Sequence, residues 1–188
     1  MPKTFIAAAL AAAAAGVAAE PVTFNIDPGH TVVTFEALHM NTSTQRGRIQ
    51  AKEGSVVIDR ATKTGKADIT LDLNTLSAAS SSLEGTLKGE RLFNVAQGPT
   101  ARFVADTFTF EGDKLASVGG TLTILGKSQP TTLKAIRFNC YENPQLKREV
   151  CGGDFAGTVQ RSQFGLGFLP NVTPDVVPLL IQVEAIRQ

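Results

Sequence analysis

Tryptophan is absent from this 188-residue chain, tyrosine occurs once, and aromatics make up 6% of it. A stacking platform for bases or sugars is therefore not expected. Excess charge is missing too. The 18 Lys+Arg and 17 Asp+Glu leave a formal net charge of +1, which offers no field to a polyanion, so no nucleic-acid partner is expected. Histidine and cysteine occur twice each. There is no G-x-S-x-G elbow, no G-x-x-x-x-G-K-[ST], no H-E-x-x-H, no C-x-x-C-H, and no G-x-G-x-x-G behind a strand. The nucleophile, phosphate-cradle, zinc and haem chemistries those motifs serve are not signalled. Beyond residue 19 no apolar run is long enough to span a bilayer. Disorder is excluded as well, because 43% hydrophobic and 19% charged residues suffice for a core.

The N-terminus carries an address. In MPKTFIAAALAAAAAGVAA, Lys3 gives a positive start, Phe5–Ala15 an apolar run, and Val17 and Ala19 small residues at −3 and −1 of a cut before Glu20. This pattern predicts a secretory signal peptide over 1–19, cleaved after Ala19. A membrane helix would need about 20 apolar residues, and an amphipathic helix would need a polar face. The remaining 169 residues, 20–188, form one expected domain with balanced charge. A chain of that size buries roughly 70% of its unfolded surface and needs neither a metal nor many disulfides.

Cys140 and Cys151 have ten residues between them. The spacing is not C-x-x-C, and two thiols without nearby histidine are too few for zinc. In an oxidising compartment they predict a disulfide closing the loop 141–150, worth about 3 kcal/mol of chain entropy.

After residue 20 the hydrophobic period is two. Val33, Phe35 and Ala37 share a face. So do Ala67, Ile69, Leu71 and Leu73, opposite Asp68, Thr70 and Asp72. Val177, Leu179, Ile181, Val183 and Ala185 share another. Residues 101–109 and 115–125 alternate less cleanly. Turn signals such as Asp27-Pro28-Gly29, Glu111-Gly112-Asp113 and Gly126–Pro130 separate about eight to ten candidate strands. Short connections suggest an all-β sandwich or barrel, and the single apolar face on many of these strands suits a barrel of about eight strands. Ser80–Phe93 breaks the pattern with Leu83, Leu87 and Leu92 behind capping serines, and predicts one short helix despite Gly85 and Gly89. Ala37, Ala67, Ala101, Ala105, Gly120 and Gly157 are small inward positions. They either leave room for a guest or sit opposite large phenylalanines.

Reactive candidates are few. His30 and His39 are nine residues apart, so a regular strand puts them on opposite faces and a shared metal is not expected. Asp27 and His30 could form a dyad, but a turn network around Pro28-Gly29 is the commoner use of such residues. His39 is either a hydrogen-bonded residue at the barrel mouth or a polar contact to a ligand head. Phe35, Phe103, Phe155 and Phe164 are either core or the lining of an apolar pocket. Asn41-Thr42-Ser43 and Asn171-Val172-Thr173 are sequons, which matter only in a glycosylating pathway.

These residues carry a resemblance. Phe24, Ile26, Asp27, His30, Thr31, Val33, Phe35, His39 and Gly47 resemble the opening pattern of the YceI family. Gly120–Leu133 resembles its strand–turn with a closing proline, Arg161–Gly167 its late R-x-x-[FY]-G motif, and Gly85–Phe103 the segment before its central strands. Thr121, Leu125 and Asn94 depart from family preferences, and the cysteine hairpin is an addition. The resemblance spans the chain beyond the leader. It implies an all-β, antiparallel, eight-stranded lipocalin-like barrel exported to the periplasm, whose mouth the short helix with Leu87 and Phe93 is expected to cover. It also implies an apolar cavity that sequesters an isoprenoid lipid, a polyprenyl phosphate or a quinone, and it admits a homodimer. No catalytic residue, metal or cofactor is implied. The cavity wall is expected at Phe35, Ile69, Leu71, Leu73, Leu87, Phe93, Phe103, Leu122, Phe155 and Phe164, with His39 as a ligand contact at the mouth. The alternatives are a secreted hydrolase using Asp27 and His30, an isoprenoid-modifying enzyme, or a structural barrel with a filled core.

Overall fold

Strands form where the sequence alternates. The computed structural model describes residues 20–188, and the leader assigned to 1–19 lies outside them. Nine strand segments follow one another: β1 (Val22–Ile26), β2 (Val32–His39), β3 (Ser43–Asp59), β4 (Thr64–Ser77), β5 (Thr100–Glu111), β6 (Lys114–Ile124), β7 (Lys127–Asn143), β8 (Arg148–Gln160) and β9 (Val176–Arg187). The helix α1 (Ser81–Lys88) lies between β4 and β5, and a 3₁₀ turn (Arg161–Phe164) follows β8. Among the described residues, no helix is long and apolar enough to cross a membrane.

All pairings are antiparallel, and the sheet closes through β3–β4. Both β1 and β2 lie between β3 and β9, at successive heights. They are two halves of one stave, so nine segments build the expected closed eight-stranded barrel. The Asp27–Thr31 turn makes the break. Asp27 Oδ1 accepts from the Gly29 N–H at 2.9 Å, and its Oδ2 lies 2.8 Å from His30 Nδ1. Thr31 replaces the interrupted ladder: its hydroxyl donates to the Glu184 carbonyl and accepts the Glu184 N–H. The Asp27–His30 pair is thus a turn network, as the commoner reading of those residues expects.

This network has a pH signature. The hydrogen bond that the His30 ring donates to Asp27, aided by the charges of Asp27 and Glu184, holds the ring above its ordinary value. The same bond to His30 holds the Asp27 carboxyl below its ordinary value. The histidine contribution is complete below the unfolded value of about 6.5 and is lost as pH rises through the raised folded value. The aspartate contribution is complete above its unfolded value and is lost as pH falls through the lowered one. His30 is two-thirds exposed, so the effect stays within about 1 kcal/mol. Urea midpoints of wild type should fall between pH 6 and 8 relative to His30→Ala; parallel pH profiles would contradict this.

The inward faces follow the alternation closely on β4, where Ala67, Leu71 and Leu73 are buried. β5 and β6 are less regular because register shifts between Ala105 and Thr107, and again between Thr109 and Phe110, reverse their parity. A bulge does this by setting two residues against one. The helix is shorter than the expected 80–93. Ser80 caps its start by accepting the Leu83 N–H, and Gly89 ends it in an extended conformation. Leu92 and Phe93 therefore sit on the following turn. The end of the barrel away from α1 is closed by Phe24, Ile26, Ile58, Leu115 and Ala185, all buried. Cys140 and Cys151 are direct cross-strand partners at that end and form the expected disulfide.

Candidate ligand cavity

At the α1 end the core does not fill. The inward residues of β2, β4, β5, β6 and β9 surround a cavity of about 350 Å³, within the range of small-molecule sites. Its lining is almost wholly aliphatic and aromatic. Leu83 and Leu87 of α1 and Leu92 and Phe93 behind it form one side of the mouth. The loop after the 3₁₀ turn forms the other with Leu166, Phe168, Leu169 and Val172. Polar side chains are few: His39, Gln45, Arg46 and Thr86, with Thr131, Arg161 and Thr173.

The space depends on one close approach. Phe35 is the direct cross-strand partner of Gly47. A Cβ on Gly47 would lie 2.1 Å from Phe35 Cζ, so the phenyl ring lies flat on the β3 backbone. There it meets Phe93, with ring centroids 5.9 Å apart in a tilted pair. Any side chain at position 47 would push the ring toward the lumen.

Arg161 holds the mouth loop. It is only 8% exposed, and its guanidinium donates to five main-chain carbonyls. Nε donates to Pro174 at 3.0 Å, Nη1 to Leu166 and to Phe168 at 2.8 Å, and Nη2 to Thr173 at 2.7 Å and Leu169 at 3.4 Å. The fixed fork of five N–H donors explains why arginine serves here. Asp175 braces the same segment by accepting the Ser162 N–H and hydroxyl, both at 2.8 Å. Those bonds hold its carboxyl below the ordinary value, and the Arg161 charge assists.

Ten of the eleven residues assigned to the site border this cavity: Phe35, His39, Ile69, Leu71, Leu73, Leu87, Phe93, Phe103, Leu122 and Phe164. Phe155 does not. It faces inward on β8 like Val159, but lies four residues further from the mouth and is buried in the closed core. Of the small residues, Ala37 and Ala101 border the cavity, whereas Ala67 and Ala105 are packed core. Both readings of those positions therefore hold, at different heights. The Asp27–His30 turn is not part of the lining. The 166–173 loop and the role of Arg161 were missed, because neither has a periodicity to read.

Three comparisons bear on this arrangement. The family model for the YceI-like domain matches residues 24–185. A UPF0312 protein of Pseudomonas putida (strain F1) is 31% identical over 193 aligned positions, covering 100% of this chain and 99% of that protein. UPF0312 protein PA0423 of Pseudomonas aeruginosa is 28% identical over 160, covering 85% and 83%. Among solved structures, Burkholderia cenocepacia BcnA superposes with a TM-score of 0.65 at 20% identity, covering 85% of this chain and 99% of that one. A polyisoprenoid binding domain from Saccharophagus degradans superposes with a TM-score of 0.62 at 16% identity, covering 89% and 99%. At these identities the structural matches establish the barrel.

Proposed function

The chain belongs to the family of YceI-like domains, and on that premise we propose that it is a periplasmic carrier that sequesters an isoprenoid lipid. The observation that carries this reading is the one-ended apolar cavity of about 350 Å³. Each methylene moved from water into such a space gains about 0.8 kcal/mol. A chain of isoprene units therefore binds tightly with little polar recognition. The polyisoprenoid binding domain among the structural neighbours supports the same ligand class. The polar groups at the mouth, His39, Gln45, Arg46 and Thr86, are where a phosphate or quinone head would sit. The Ala-rich leader with small residues before Glu20 supports export, with cleavage after Ala19 leaving 20–188 as the working domain. The protein holds its ligand rather than converting it. Phe35, Ile69, Leu71, Leu73, Phe103 and Leu122 form the wall against which the chain packs.

Thermal unfolding tests the reading. A polyprenyl lipid at about a hundred times its Kd stabilises the folded state by about 2.7 kcal/mol, which for a domain this size raises Tm by roughly 5–10 °C. An unchanged Tm with both a polyprenyl phosphate and an isoprenoid quinone would contradict it.

A further inference from the structure

Three apolar residues at the mouth end hold left-handed backbone, a conformation uncommon for bulky side chains: Met40 (φ 50), Leu125 (φ 51) and Leu169 (φ 54). Leu125 has a packing reason, because its Cδ2 sits against Gly98 and it is partly buried against the core. The other two do not. Met40 occupies the first central position of the tight β2–β3 turn, where Thr42 N–H donates to the His39 carbonyl, yet it is 62% exposed. Asn or Gly is the residue that turn ordinarily takes. Leu169, directly before Pro170, is 45% exposed. Backbone strain retained without packing gain is a pointer to function.

The two tips form one rim. Met40 N–H donates to the Val172 carbonyl at 2.8 Å, and Arg161 pins the loop that carries Leu169. Leu38, 37% exposed, adjoins Met40. Leu169, Val172 and Phe168 also line the cavity, so the exposed apolar rim is continuous with the cavity wall. The unpaired charges nearby are mostly cationic, Lys88, Arg91 and Lys127 against Glu90. Among the described residues, Lys88, Arg91 and Lys127 have no carboxylate within ion-pairing distance. Arg91 instead lies over the Phe168 ring, 5.0 Å from its centroid. By contrast Glu36, Glu84 and Asp175 are engaged by Arg46, the Ala78 N–H and Ser162. A rigid apolar rim flanked by free cations matches a bilayer surface, where apolar tips enter the headgroup–acyl boundary and cations meet lipid phosphates.

We propose that the Met40–Leu169 rim docks the barrel mouth onto a phospholipid bilayer, so that the ligand passes between membrane and cavity without crossing water. This rests on the carrier reading. The test is co-sedimentation of the full domain with vesicles of equimolar phosphatidylethanolamine and phosphatidylglycerol, beside farnesol binding in solution. Met40→Asp suits the left-handed backbone better than the native residue, and Leu38→Asp adds a second charge at an exposed position; neither residue lines the cavity, so folding and the cavity are preserved. The double variant should lower vesicle affinity at least about tenfold, the factor that 1.4 kcal/mol represents, while farnesol binding is unchanged. Leu146→Asp, an equally exposed apolar position at the far end (48%), should change neither. Vesicle binding absent from wild type, or equal in the double variant, overturns the proposal. So does an equal loss in Leu146→Asp, or a shift from dimer to monomer as the only effect of the double variant. Failure of wild type to bind farnesol would count against the carrier reading alone.

Discussion

Arg161→Met should lower stability by about 2–4 kcal/mol and loosen one end of the barrel selectively. Hydrogen bonds to a charged group contribute about 1.5–3 kcal/mol each where they are buried. Five converge on this guanidinium, but they act as one unit, and the loop carbonyls regain water once freed. The cost of desolvating the cation also disappears with it. The net figure is therefore far below five independent bonds. For a domain of this length it corresponds to a fall in Tm of roughly 5–15 °C. Hydrogen exchange should rise most in 162–174, whereas β3–β4 and β7–β8 amides change little. Arg161→Lys separates charge from geometry. An ammonium has three donors on a flexible stem and cannot reach carbonyls spread from Leu166 to Pro174, so most of the loss should remain. Full recovery by lysine would show that positive charge alone is needed.

The second large effect concerns the empty space. Ala37→Trp should weaken isoprenoid binding roughly a hundredfold with little effect on stability. Ala37 faces the lumen near the mouth, is only partly buried, and borders the cavity. An indole there enters existing space instead of forcing packed neighbours apart, so the overpacking cost of a filled core does not apply. If it displaces about four methylenes of ligand, the loss is about 3 kcal/mol, or roughly a hundredfold in Kd. Gly47→Ala reaches the same space from the adjacent strand β3, by pushing the Phe35 ring toward the lumen.

The barrel was legible because its physical cause is periodic. On β4, Ala67, Ile69, Leu71 and Leu73 must face one way in any strand, and one apolar face per strand calls for a sandwich or a barrel; closure through β3–β4 is set by long-range pairing that the alternation does not show. Parity, however, says nothing about height. Phe155 and Val159 share the inward face of β8, yet only Val159 borders the cavity. The stagger of neighbouring strands decides which inward residue meets the lumen, and it is set by long-range register. The break between β1 and β2 was legible as a turn but not as half a stave, since Thr31 completes the ladder with a residue 153 positions away. Arg161 was visible as part of a motif. Its role was not, because its partners are main-chain carbonyls and no complementary side chain marks them in the sequence.

The central claim is that the cavity holds an isoprenoid in the cell. Organic extraction and mass spectrometry of the protein purified from its native cells tests this most directly, with Ala37→Trp processed in parallel. An isoprenoid recovered from wild type and strongly depleted in Ala37→Trp is the expected result. Wild type that repeatedly yields no apolar molecule, and takes up none when polyprenyl lipid is added, would contradict the account.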